Sequence, residues 1–157
     1  MKIGFILKDF SLKGVDGNTY TLESFSKARI LVVVFISNDS KYSRAYISRL
    51  KKIQNEFLEK NIWLVAINSN NSSYSVFDNF QHMMQQWLRE GFNFPYLKDS
   101  TQFVANNLDI VCIPEVYVFD KDRKLRYKGL IDDCWSNKNC VKNNYLVKAL
   151  NELLKNN

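Results

Sequence analysis

The chain has 157 residues, 46% of them hydrophobic and 24% charged, the balance of a folded globular protein rather than a disordered or fibrous one. No apolar run approaches the roughly 20 residues that span a bilayer. The net charge is +6, but the basic residues are scattered among acids, as in Lys121-Asp122-Arg123-Lys124, so no basic stripe marks a nucleic-acid interface.

In chain order, Phe10-Ser11-Leu12 and Tyr20-Thr21-Leu22 flank Gly14 to Gly17 and predict a short hairpin turning at Asp16-Gly17. Ile30 to Ile36 is a continuous β-branched and apolar run, the pattern of a strand covered on both faces. It ends in a polar turn, Ser37 to Ser40. Tyr46, Leu50, Ile53 and Phe57 then share one helical face. Ile62 to Ile67 reads as a second buried strand, so the three pieces make a right-handed parallel crossover. A helix is predicted over 76–89, with Phe77, Phe80, Met84 and Trp87 on its apolar side and Gly91 ending it. Phe94 to Leu97 is extended. Asp99 or Ser100 caps a brief helix through Val104 and Leu108. Glu115–Phe119 and Lys124–Lys128 form an antiparallel hairpin, 132–144 a polar loop, and 145–154 a closing amphipathic helix.

This order predicts an α/β protein, a central mixed sheet flanked by helices with an N-terminal hairpin extension, in a single domain over 1–157. It is the thioredoxin-like plan. Several stretches also resemble the alkyl hydroperoxide reductase/thiol-specific antioxidant (redoxin) superfamily, in its peroxiredoxin-like branch. They are Phe10 to Leu12 with Asp16-Gly17 and Leu22; Val65 to Asn70; Phe92 to Leu97 with Asp99, Thr101, Gln102, Val104 and Ala105; and Val111 to Glu115 leading to Phe119-Asp120, Leu125, Tyr127, Gly129 and Ile131 to Asp133. In that branch the first buried strand typically runs into Phe-Ile-Cys-Asn-His-Cys-Pro-Tyr. Here it runs into Phe35-Ile36-Ser37-Asn38-Asp39-Ser40-Lys41-Tyr42. The resemblance thus sets Ser37 and Ser40 where the attacking and resolving cysteines stand, with Asn38 and Asp39 between them.

A dithiol enzyme needs a thiolate stabilised at a helix N-terminus and a second thiol one turn on. A serine hydroxyl forms no disulfide and is a weak nucleophile without an adjacent base. His82, the one histidine, lies off the apolar face of its own helix and away from the turn, and there is no Gly-x-Ser-x-Gly elbow. Ser40 reads as a helix N-cap. The resemblance also implies that Pro114 is a cis-proline facing the turn, and that Ile113, Pro114 and Tyr42 line a peptide groove beside it.

The sequence holds three cysteines. Cys112 is either a lone reactive thiol or an inert buried residue at a strand start. Cys134 and Cys140 are either a relocated redox pair, bridged if their α-carbons come within about 4.4–6.8 Å, or two solvent thiols. A zinc site lacks further ligands at motif spacing. Tyr42, Tyr46 and Trp135 are the aromatics that could rim the groove.

These readings predict a redoxin relative without the usual dithiol activity that binds a peptide or protein partner at the groove. The alternative is a thiol-disulfide oxidoreductase or peroxiredoxin-like antioxidant enzyme using Cys112 or the Cys134/Cys140 pair. No cofactor, metal, nucleic acid or membrane is expected. The chain is expected to be a monomer or a homodimer. Its start, with Lys8 and Asp9 interrupting a short apolar stretch, does not read as a secretory signal, which predicts a cytoplasmic protein.

Overall fold

The structure is a computed structural model, and it describes residues 1–156. Seven strands form one sheet: β1 (Leu12–Gly14), β2 (Thr19–Tyr20), β3 (Ile30–Phe35), β4 (Ile62–Asn68), β5 (Tyr96–Lys98), β6 (Glu115–Phe119) and β7 (Leu125–Gly129). Their spatial order is β2-β1-β5-β4-β3-β6-β7. β3 pairs with β4 in parallel and with β6 antiparallel, so Val33 lies between Val65 and Tyr117. β5 is parallel to β4, and the hairpins β1–β2 and β6–β7 close the two edges.

Helices cover both faces, which is why β3 carries no polar alternation. Ile30, Val32 and Val34 point to one side and pack with Tyr46, Leu50, Ile53 and Phe57. Leu31, Val33 and Phe35 point to the other and pack with Val104, Leu108, Tyr117 and Phe119. All six β3 side chains are at most 1% exposed, so each contributes on the order of 1.5–3 kcal/mol of burial.

The helices are α1 (Lys41–Phe57), α2 (Phe80–Glu90), α3 (Phe103–Asn107) and α4 (Tyr145–Lys155). Helix α1 buries the predicted Tyr46, Leu50, Ile53 and Phe57 together with Ser43, Ile47 and Gln54. Gln54 ties it to β4: its Nε2 donates to the Ile62 carbonyl at 2.9 Å and its Oε1 accepts from Leu64 N at 2.7 Å. Helix α2 starts later than the periodicity predicts. Val76–Asp78 is a separate 3-10 turn, and Asn79 caps α2 by accepting from His82 N at 2.8 Å. Phe77 therefore leaves the helical face and is exposed, while Met83 and Gln86 take the buried positions. Gly91 ends α2 in the left-handed conformation with φ 61°, as expected. Asp99 serves the start of α3, accepting from Val104 N and Ala105 N. Among the described residues no helix is long and apolar enough to cross a membrane.

Candidate functional site

Two neighbouring regions at the N-terminal end of α1 hold the residues that the sequence singles out. The first is the turn from Ser37 to Ser40. Ser37 is 2% exposed. Its hydroxyl donates to Asp78 Oδ2 and accepts from Asp39 N, each at 3.1 Å, and its amide donates to Ser43 Oγ. Asn38 N donates to Asp78 Oδ1 at 2.7 Å, and Tyr96 Oη donates to Asn38 Oδ1 at 2.7 Å. Asn68 and Asn70 complete the shell around Asp78 at 2.9 and 3.0 Å. Ser40 caps α1, accepting from Ser43 N at 3.2 Å, while Asp39 is exposed.

Sequence reasoning missed Asp78. It is fully buried and is the anchor of the turn, yet it lies 41 residues from Ser37, just ahead of a helix whose start was read too early. The arrangement opposes nucleophilic use of Ser37, which is sealed from solvent and beside a carboxylate with no imidazole between them. His82 is nearer the turn than its place in the sequence suggests, since it shares a surface cavity of about 290 Å³ with Asn38. Its Nδ1 is 2.8 Å from Asn79 Oδ1, and it makes no hydrogen bond to either serine.

The second region is a groove beside Pro114. The Ile113–Pro114 peptide bond is cis. A cavity of about 260 Å³ opens against it, walled by Tyr42 and Tyr46 of α1, Cys112 and Ile113 before β6, and Leu130 and Trp135 after β7. The predicted groove residues Tyr42, Ile113 and Pro114 come together here. Ser37, Asn38, Asp39 and Ser40 are not among the residues that line this cavity. Tyr42, Leu130 and Trp135 present 43%, 52% and 40% of their surfaces, too much for core residues. Neither the amide nor the carbonyl of Ile113 has a hydrogen-bond partner among the described residues.

Long-range contacts hold the outer wall. Trp135 meets Tyr42 edge to face with ring centroids 4.6 Å apart, and Lys41 Nζ lies 5.3 and 5.5 Å from the two rings. Arg49 of α1 bonds the buried Asp132 at 2.8 Å and donates to the carbonyls of Cys134 and Trp135 at 2.8 and 2.7 Å. Tyr46 Oη donates to Asp132 at 2.6 Å. Burial and then the Asp132 carboxylate push the Tyr46 hydroxyl well above the usual phenol range, so it stays a donor.

The cysteines separate. Cys112 is a free thiol on the groove, exposed rather than buried at a strand start. Partial burial and then Glu115 raise its pKa, the reverse of what an activated thiol needs. Glu115 is itself buried and accepts from Val111 N and Tyr117 Oη. Cys134 and Cys140 form a disulfide with α-carbons 5.9 Å apart, inside the range expected of a bridge. Among the described residues no group of three His, Cys, Asp or Glu side chains is placed to hold a metal.

The AhpC/TSA family model matches residues 3–128. The chain belongs to the AhpC/TSA family. Among solved structures it is similar to a hypothetical protein from Sinorhizobium meliloti, at 30% identity over 99% of this chain and 86% of that one, with a TM-score of 0.93. An uncharacterized conserved protein from Geobacillus kaustophilus is 32% identical over 99% and 83%, with a TM-score of 0.91. Peroxidoxin BcpB from Mycobacterium tuberculosis shares the fold at 18% identity over 99% and 97%, with a TM-score of 0.73. A search of curated proteins finds no match. This AhpC/TSA member thus has the thioredoxin-like fold, with a mixed seven-stranded sheet between helices.

Proposed function

We propose that this AhpC/TSA-family protein binds an extended peptide segment of a partner at the Pro114 groove, and that its serine turn no longer performs dithiol-disulfide exchange. The apolar cavity beside Pro114, with the unpaired Ile113 backbone on its rim, carries this reading. An apolar side chain of the segment fills the space between Tyr42, Leu130 and Trp135. The Ile113 amide and carbonyl pair with the segment's main chain as an added strand would. Lys41 at the rim favours an acidic or C-terminal carboxylate neighbour. The turn contributes scaffold: resemblance to redox relatives aligns Ser37 and Ser40 with their cysteines, and hydroxyls at those positions exchange no disulfides.

The reading is tested by panning a random peptide library on the immobilised protein and titrating the selected peptide by calorimetry. An apolar or aromatic consensus whose affinity falls at least about tenfold in Leu130→Asp supports it. No selectable peptide, or one that binds the variant equally, overturns it. A homodimer that buries the groove would appear as a concentration-dependent mass in light scattering.

The Cys134–Cys140 bridge favours a second reading, a thiol-disulfide oxidoreductase or antioxidant enzyme that uses this pair in place of the turn. Its test is dithiothreitol-driven insulin reduction. Catalysis lost in the double variant C134S/C140S would establish it, and a rate no higher than dithiothreitol alone would exclude it. We place the protein in the cytoplasm, where bridges that do form are usually transient, catalytic or sensing.

A further inference from the structure

The Cys134–Cys140 bridge adjoins the groove wall through the neighbours of Cys134. Asp133 and Trp135, the residues on either side of Cys134, both line the cavity. The base of their loop is tied down, since Asp133 accepts from Lys142 N at 2.9 Å and from Asn143 N at 3.1 Å. The tip is not. Residues 136–140 are exposed, and their hydrogen bonds stay within the bridged segment or its flank: Ser136 Oγ with Cys134 Sγ, Asn139 N to Asn137 Oδ1, Cys140 N to the Asn137 carbonyl and Val141 N to the Lys138 carbonyl. The disulfide is the covalent tie that closes the tip on itself, and it adds to the contacts that hold the chain through Trp135: the Cys134 amide on Asp132, the two carbonyls on Arg49 and the indole on Tyr42.

We infer that this disulfide is a redox latch on the peptide groove: bridged, it holds Trp135 as a preformed wall; reduced, it frees the wall and weakens binding of the apolar segment. The inference rests on the groove reading above and adds its regulation. The chemistry is ordinary thiol-disulfide exchange. A thiolate of a dithiol reductant attacks one sulfur of the bridge, and the S–S bond breaks to give a mixed disulfide and one free thiol. The reductant's second thiol then displaces the other cysteine. Cys134 and Cys140 gain two electrons and two protons, and the reductant leaves as its own disulfide. Cys140 is exposed, so the bridge is open to attack. The binding effect follows from preorganisation, because a wall that must be ordered on binding costs affinity that a fixed wall does not.

The test uses the full chain and 8-anilinonaphthalene-1-sulfonate, an apolar anion suited to a cavity with Lys41 on its rim. Its affinity is measured for air-oxidised protein, for protein in dithiothreitol and for C134S/C140S. The Trp135 indole N–H resonance is followed in parallel, assigned with Trp135→Phe. The latch predicts an affinity drop of about fivefold or more on reduction, the same drop in the double variant with no further response to dithiothreitol, and a shifted Trp135 resonance. Equal affinities and an unmoved resonance, with binding still abolished by Leu130→Asp, overturn the latch and leave the groove standing. Undiminished binding to Leu130→Asp, itself checked for folding by near-ultraviolet circular dichroism, overturns the groove reading, and the latch falls with it. Free thiols at both positions in the air-oxidised protein overturn the latch outright.

Discussion

The turn before α1 and the groove across Pro114 are neighbours built on opposite principles. In the turn the polar groups largely bond one another: Ser37, Asn38, Asn68 and Asn70 all converge on the buried Asp78, and of the four turn residues only Asp39 is exposed. In the groove apolar surface is left half exposed on Tyr42, Leu130 and Trp135, and neither backbone group of Ile113 has a hydrogen-bond partner among the described residues. A saturated polar cluster stabilises a backbone shape, whereas unsatisfied surface is what a partner can satisfy. Ser37, which the resemblance aligns with a cysteine of redox relatives, lies within the saturated cluster.

The contrast breaks most readily at Asp78. Asp78→Ala removes the acceptor of four donors, two of them on buried side chains, and is expected to cost about 3 kcal/mol of stability in urea unfolding. A loss below about 1 kcal/mol would mean that the turn is not held by this carboxylate. Next is Ser37→Cys. A thiol placed there would sit about where Ser37 Oγ now lies, 3.1 Å from Asp78 Oδ2 and out of solvent, so it should titrate above the ~8.5 of a free cysteine when followed by thiolate absorbance. Ser37→Cys with Asp78→Asn should titrate lower. A low thiol pKa in the single variant would show that the turn still activates a nucleophile. Ser40→Ala removes only the cap of α1, with an expected cost of about 1 kcal/mol and no change in groove binding.

The smallest effect concerns Cys112. Thiolate forms only as pH rises through the pKa, and burial and Glu115 raise that pKa, so iodoacetamide labelling at pH 7 should be slower than for free cysteine and should climb at more alkaline pH. Fast labelling at pH 7 would move catalytic chemistry into the groove.

Much of this fold is written locally. The unbroken apolar run of β3, the helical spacing of α1, the cap at Ser40, the glycine stop at Gly91 and the turn between β6 and β7 each depend on neighbours a few residues away, and each is found where the pattern predicts it. The start of α2 misled because Phe77 continues the apolar spacing, while the cap that overrides it is Asn79. What the sequence alone determined is the set of elements, their order and the presence of serines at the head of α1. Only the tertiary structure decided that Asp78 reaches back 41 residues to hold Ser37, and that Arg49 reaches forward 83 residues to Asp132 to build a separate wall. The same holds for the side chains that meet around Pro114 and leave Cys112 exposed. Local pattern reports which face of an element is buried. Which polar groups meet there depends on strand order and on how helices settle across the sheet, and that geometry is carried by contacts between distant parts of the chain.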